Sequence, residues 1–403
     1  MLTNLYIDAL QRKRLPAARI AALKKLKRFL PESEKRSDAV NIQTHTTYSF
    51  SPYTPTMAAY MAYKFDLMVA GILDNYTVAG AKEFIKACRI LNITYSVGVE
   101  LRADFKEPET PYSNVALFGV AERYFKKLTA ELAPFCSARR ENVFSTVAAV
   151  NKKTVPHGIK IDFDKDVKPL VHDVLLSKYV YFALAEKLVS KFGEGERTRD
   201  FLIDYLKMEL TETEKGLLSD RTNPYYVYDL ANIISDNYTV FHTFKNYPSP
   251  ETIVKIAHGV GAICSYEYVI KRGKGKKTDV ELIAYNERLI AKLKKLKFDA
   301  VSFDPSKFSK EVLASFKKLL KDNKLLPFNL TRVEFPRRRF DCACADPELK
   351  RDMTDAVYAV VGSEICENNR ASQGFITEKD LFVEDFSERV RLFAKIGRKG
   401  IDD

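Results

Sequence analysis

Residues 40–101 read VNIQTHTTYSFSPYTPTMAAYMAYKFDLMVAGILDNYTVAGAKEFIKACRILNITYSVGVEL. VNIQTH (40–45), LMVAGIL (67–73) and ITYSVGVEL (93–101) are short apolar runs of strand length. Between them lie TPTMAAYMAYKF (54–65) and VAGAKEFIKACRIL (78–91), both of helical period. Thr54 suits an N-cap, and Pro55 suits a first helical turn. Strand, helix, strand, helix, strand implies parallel βαβ units.

The same order returns towards the C-terminus. PETIVKIAHGV (250–260), VELIAYNERLIAKLKKL (280–296) and SKEVLASFKKLLKDN (309–323) predict helices. GAICSYEYV (261–269), FDAVSF (298–303) and LLPFNL (325–330) predict strands, and a last helix is expected from about Pro347 to Val361. The segment from about 120 to 245 is different, with irregular helices such as SKYVYFALAEKLVSKF (177–192) and ERTRDFLIDYLKMEL (196–210). It reads as a helical insertion in a parallel barrel. Residues 1–37 read as a helical arm, with Ile20, Leu23, Leu26 and Leu30 on one face and Lys and Arg between them. Such a helix can touch a membrane, and is expected here to pack on the main domain or on a partner subunit.

The 403 residues, 46% of them apolar, suffice for one large barrel-like domain with insertions, or for two or three smaller domains. The opening MLTNLYIDALQRKRLPAARIAALKK interleaves charge with apolar residues and does not read as a secretory signal. No apolar run approaches the ~18 residues of a membrane span. Cys88, Cys136, Cys264, Cys342, Cys344 and Cys366 form no Cys-x-x-Cys pair, and free thiols in a reducing cytoplasm are expected. A formal net charge of +12 marks a basic protein that can attract phosphates, nucleic acid or anionic lipid. The charge is spread over QRKR (11–14), KKLKR (24–28), KRGKGKKT (271–278), KLKKLK (292–297) and PRRRF (336–340), with no nucleic-acid-binding motif beside it.

In a parallel α/β barrel, chemistry sits at the C-terminal ends of the strands. Gln43, Thr44 and His45 end the first strand, Asp74 and Asn75 the second, and Glu100 the third, with Arg102 two residues on. His45, Asp74 and Glu100 are ligand types for zinc, manganese or iron. Two carboxylates and an imidazole could hold a hydrolytic metal and its water. The same residue types also serve as ordinary turn, cap and hydrogen-bonding groups at strand ends.

Residues 44–105, from THTTYSFSPYTP to GVELRADF, resemble the N-terminal half of the PHP (polymerase and histidinol phosphatase) domain. They are most similar to a group of bacterial PHP proteins of comparable length. The resemblance continues through NPYYVYDLANII (223–234), GAICSYEYV, FDAVSFDPSKFSKEVLASFKKLLKDNKLLPF (298–328) and FPRRRFDC (335–342). It implies a distorted seven-stranded (β/α) barrel over 38–403, with the helical insertion at about 120–245 and the arm at 1–37. It also implies a two- or three-metal cluster that hydrolyses phosphate esters.

The family's His-x-His falls on Gln43 and His45, and its Asp-His-Asp on Asp74, Asn75 and Tyr76. Its strand-three glutamate is matched by Glu100. Histidines that follow fall on Phe118 and Glu122, the insertion histidine on Tyr179, and the final Asp-x-His or Asp-x-Asn on Arg332-Val333-Glu334. His157, His172, His242 and His258 match no ligand position. Amides are weak ligands, Phe118 and Tyr179 fill space, and Arg332 carries a fixed positive charge.

These departures lead to the expectation of a degenerate metal site with no resident cofactor, in a phosphoesterase-like pseudoenzyme that binds a ligand or a partner. A phosphate-containing ligand, a protein partner and a homo-oligomer all suit that reading. The alternative is an active phosphoesterase with Mn, Zn or Fe on His45, Asp74 and Glu100, and Glu122 or Glu334 as replacement ligand or general base. Nucleic-acid binding through basic faces is a third reading. Buried carboxylates without a metal need a counter-charge or protons. Arg332 or Arg102 is therefore expected to pair with Asp74 and Glu100.

Overall fold

The structure is a computed structural model that describes residues 2–31, 37–106, 112–237, 247–270, 277–334, 340, 344–377, 383 and 385–400. Most of the basic loop 271–278, the arginines at 337–339, Cys342 and His242 lie outside the described residues. The chain forms two compact units: Met1–Thr47, Tyr53–Leu132 and Tyr247–Asp403 make one, and Tyr48–Pro52 with Ala133–Asn246 make the other.

The first unit opens with α1 (Leu2–Arg12) and α2 (Pro16–Lys27). Then come β1 (Val40–Thr44), α3 (Pro55–Lys64), β2 (Val69–Asn75), α4 (Ala81–Leu91), β3 (Thr94–Asp104) and β4 (Tyr112–Phe118). Thr54 caps α3 by accepting from the Met57 N–H, and Pro55 starts it. The long α5 (Phe125–Thr154) leads into α6 (Ser177–Phe192), α7 (Glu196–Asp204), α8 (Glu212–Ser219) and α9 (Tyr226–Asn237). Those four helices belong to the second unit, where Phe50 packs among the rings of Tyr179, Phe182 and Tyr228. The first unit resumes with α10 (Pro250–Gly259), β5 (Ile263–Tyr268), α11 (Asp279–Lys295), β6 (Ala300–Phe303), α12 (Lys310–Asp322), β7 (Leu326–Asn329), α13 (Pro347–Asn369) and α14 (Phe386–Lys399).

The seven strands form one mixed sheet in chain order. All neighbours are parallel except β4, which runs antiparallel to both β3 and β5. Beyond β7 the chain returns to β1. The His45 N–H donates to the Val333 carbonyl, and the Val333 N–H to the Gln43 carbonyl, both at 3.0 Å. The sheet thus curls into the expected distorted barrel, closed at one end by a single bridge between Thr44 and Val333. Ile42, Leu73, Phe118, Ala300 and Phe328 are buried in its core. Each large apolar side chain so buried contributes about 1.5–3 kcal/mol. Val357, Val360 and Val361 of α13 complete the same core.

Three features depart from the sequence expectations. β4 was not anticipated, because no helix separates it from β3 and its first half is polar. The last barrel helix runs on to Asn369 rather than Val361, and α14 follows it. The arm is a helical hairpin rather than one helix. Arg19 closes its turn by donating through Nη1 to the carbonyls of Lys13 (2.7 Å) and Arg14 (2.9 Å). The hairpin docks on α4, where Arg19 Nε and Nη2 meet the two carboxylate oxygens of Glu83 at 2.7 and 2.6 Å. Among the described residues, no helix is long and apolar enough to cross a membrane.

Candidate functional site

The C-terminal ends of the parallel strands gather a cluster around Arg332. β7 ends at Asn329, three residues before Arg332. The bridge at Val333 then folds that segment over the barrel end beside β1. The backbones of β1 and β7 pair nowhere else, and side-chain amides span the gap. Gln43 Nε2 donates to the Asn329 carbonyl at 2.7 Å, and Asn41 Nδ2 to the Thr331 carbonyl at 3.0 Å. Gln43 therefore holds the closure of the barrel, a role its spacing from His45 did not suggest.

Arg332 is a three-way counter-ion. Its Nη2 stands 3.0 Å from Glu267 Oε2, and its Nη1 stands 3.4 Å from Glu100 Oε2 and 3.5 Å from Glu334 Oε1. The Glu267 side chain is fully buried and that of Glu100 nearly so, whereas Arg332 and Glu334 are about a quarter exposed. Asn114 Nδ2 donates to Glu100 Oε1 at 3.3 Å. His45, also buried, places Nε2 3.8 Å from Glu100 Oε2, and its Nδ1 lies 3.5 Å from Asn75 Nδ2.

Burial pushes the Glu267 carboxyl well above the usual range. Arg332 draws it back, while the neighbouring Glu100 and Glu334 carboxyls push it up again. For Arg332, burial alone would weaken the charge, but Glu267, Glu100 and Glu334 outweigh it and drive the guanidinium's affinity for its proton upward.

The expected arginine pairing is present in part. Arg332 meets Glu100 but not Asp74, whose two oxygens accept from the Thr46 N–H (2.7 Å) and hydroxyl (2.6 Å). Asp74 thereby fixes the loop that leaves β1. Arg102 points its guanidinium over the rings of Tyr112 and Tyr247, with ring centroids 5.8 and 5.7 Å away. Tyr76 is tied to the Arg102 backbone: its hydroxyl accepts from the N–H at 2.9 Å and donates to the carbonyl at 3.1 Å.

Phe118 fills the barrel interior, its ring 4.9 Å from that of Phe328. Glu122 is not brought to the cluster. Because β4 is antiparallel, its C-terminal end lies beside the start of β3, where the Val120 N–H donates to the Val97 carbonyl at 2.8 Å. Glu122 follows there, facing Lys82 at 3.6 Å. Tyr179 belongs to the second unit. Sequence reasoning missed Glu267, Asn114 and Asn41. The available signal for Glu267 was the single acid in an otherwise uncharged strand, ICSYEY.

The residues present do not fit a metal cluster. Among the described residues, no three His, Cys, Asp or Glu side chains gather as a metal-holding group. The oxygens of Asp74 are committed to Thr46, and the Arg332 guanidinium occupies the centre of the remaining carboxylates.

No protein-family model matches the chain. No curated protein matches it either. Solved structures do. A sulfate-bound, metal-free amidohydrolase from Chromobacterium violaceum matches with a TM-score of 0.52 at 15% identity, over 78% of this chain and 96% of that one. A protein described as a metal-dependent phosphoesterase from Bifidobacterium adolescentis matches with a TM-score of 0.51 at 16% identity, over 78% and 94%. At such identities the likeness is one of fold alone.

Proposed function

We propose that this chain is a divergent PHP-like protein in which an internal arginine has taken over the charge role of the metals, leaving a non-catalytic, partner-binding barrel. The observation that carries this reading is the contact of the Arg332 guanidinium with Glu100, Glu267 and Glu334. A fixed cation among these carboxylates repels a divalent ion and has no exchangeable position for a nucleophilic water. The cluster is also ill suited to a phosphate ester, since three acids surround one guanidinium. A protein or surface partner therefore fits better than a phosphate-containing ligand.

The test is elemental analysis of the purified protein, together with hydrolysis of p-nitrophenyl phosphate with added manganese. The expected result is substoichiometric metal and no hydrolysis above a His45→Ala variant. Stoichiometric metal, with activity abolished by His45→Ala, would instead establish the reduced metal site on His45, Asp74 and Glu100. The fold likeness to a metal-dependent phosphoesterase keeps that second reading in view.

A further inference from the structure

Between residues 3 and 31 the chain carries eight Lys or Arg and one Asp, so much of the net charge of +12 resides in the α1–α2 hairpin. The inward face of this hairpin is already used. Leu10, Ile20, Leu23 and Leu26 are buried, and Arg19 is locked to Glu83. What remains outside is chemically unusual. Arg12, Lys13, Arg14, Lys24, Lys25 and Arg28 are exposed, and among the described residues only Arg12 of these is in an ion pair, with Asp8.

Three large apolar side chains of the hairpin are exposed as well: Leu5 (61% exposed), Leu15 (66%) and Phe29 (55%). They are three of the nine exposed large hydrophobics among the described residues, on a segment of 29 residues. Phe29 stacks on Tyr6 with centroids 6.2 Å apart, which brings the start of α1 beside the end of α2. Leu5 and Phe29 thus sit at one end of the hairpin, next to Arg28, and Leu15 at its turn, next to Arg12, Lys13 and Arg14.

We propose that the outer face of the α1–α2 hairpin rests on an anionic lipid bilayer. Lys and Arg near an anionic surface each add to attraction, and exposed Leu and Phe gain by entering the boundary between headgroups and acyl chains. A nucleic acid would use the charges but leave Leu5 and Leu15 in water, since phosphate contacts alone dominate such binding. The combination of charge with aliphatic side chains therefore favours lipid. This surface uses none of the residues around Arg332, so it stands whether or not that cluster is catalytic.

The test is co-sedimentation of the full chain with vesicles of phosphatidylcholine alone and of phosphatidylcholine mixed with phosphatidylglycerol. Binding is expected to the mixed vesicles only, and to weaken in high salt. Replacing Lys24, Lys25 and Arg28 by Gln is expected to weaken it about a hundredfold, from the usual attraction per basic residue. Leu5→Ser with Leu15→Ser is expected to weaken it about tenfold. Both sets of side chains are exposed, and unchanged urea midpoints would show that the variants fold. Failure of the native chain to bind mixed vesicles would overturn the proposal. So would equal binding to pure phosphatidylcholine. Undiminished binding by the leucine variant, displaced by an oligonucleotide, would assign the face to nucleic acid instead.

Discussion

Arg332 Nη2 lies 3.0 Å from Oε2 of Glu267, an acid with no exposed side-chain surface. At such a separation the Coulomb attraction is about 5 kcal/mol for an effective dielectric of about 20. Desolvating each ion costs several kcal/mol, so the assembled cluster is worth little net. Taking away the guanidinium is another matter, because the acids lose their compensation. Arg332→Leu is expected to cost about 3–5 kcal/mol in urea unfolding. Glu267→Gln costs less, because Arg332 keeps Glu100 and Glu334 as counter-ions, and in the double variant it restores part of the loss. An Arg332→Leu protein within about 1 kcal/mol of the native one would remove the arginine from its assigned role.

Glu364 of α13 sits at the opposite end of β3, accepting from the Ser96 hydroxyl at 2.9 Å and the Val97 N–H at 3.0 Å. Burial pushes its carboxyl from 4.5 up to about 8, against the lowering effect of those two bonds. The folded state then holds a proton that the unfolded chain releases above about 4.5. Stability therefore falls as pH rises from about 4.5 to about 8 and levels off beyond. The raised Glu267 carboxyl acts in the same direction. Glu364→Gln is expected to remove on the order of 5 kcal/mol of this pH-dependent change, read from urea midpoints at intervals between the two pH limits. A slope unchanged by Glu364→Gln would show that another group carries the titration.

A buried fork anchors the hairpin, beside the bond from the Thr54 hydroxyl to the Leu10 carbonyl at 2.6 Å. Arg19 spends Nε and Nη2 on Glu83, and Glu83 also accepts from the Thr56 N–H at 3.1 Å. Arg19→Ala leaves a buried carboxylate and opens the turn at Lys13 and Arg14. A loss of about 3–5 kcal/mol is expected, with Arg19→Lys recovering little because one ammonium cannot supply the fork. Proteolytic cleavage near residues 13–15 of Arg19→Ala, absent from the native chain, would report the opening directly. Equal protection of both proteins would argue that apolar packing of Leu23 and Leu26 suffices.

The barrel was legible wherever strands and helices alternate, because each parallel strand needs a crossover helix and the two periods differ. β1 to β3 and β5 to β7 were read that way. β4 was not, since β3 passes to it directly and YSNVALF turns polar at its start. That omission also hid the direction of the chain after Phe118, which carries Glu122 away from the Arg332 cluster although the resemblance had laid a ligand position on it. Arg332 was reached only through the PHP resemblance, which lays a ligand position of that family on it. Its main partner Glu267 was not reached, because a single acid in a buried strand becomes informative only when something across the barrel is known to face it. Gln43 was read for what it lacks as a ligand. Its bond to the Asn329 carbonyl depends on a seam between β1 and β7 that no local pattern reveals.

The contact of α13 with α14 turns on two glycines. A Cβ added at Gly362 would lie 2.0 Å from the Phe393 carbonyl oxygen, and one at Gly397 would lie 2.1 Å from that of Tyr358. Both obstacles are backbone, so neither can swing aside, and the helices would have to separate. Phe393 and Ala394 of α14 would then leave the core they share with Val357 and Val360. Alanine raises helix propensity at such a site by about 1 kcal/mol, which is too little to offset the exposure of a buried Phe at about 3 kcal/mol or more. Gly362→Ala is expected to lower the melting temperature and to make α14 a site of rapid proteolysis. Gly259→Ala, on α10 where an added Cβ would approach only the flexible Lys127 ammonium at 3.5 Å, is the matched control and should change neither. Equal behaviour of the two variants would show that the close approach of α13 and α14 is not what holds α14 in place.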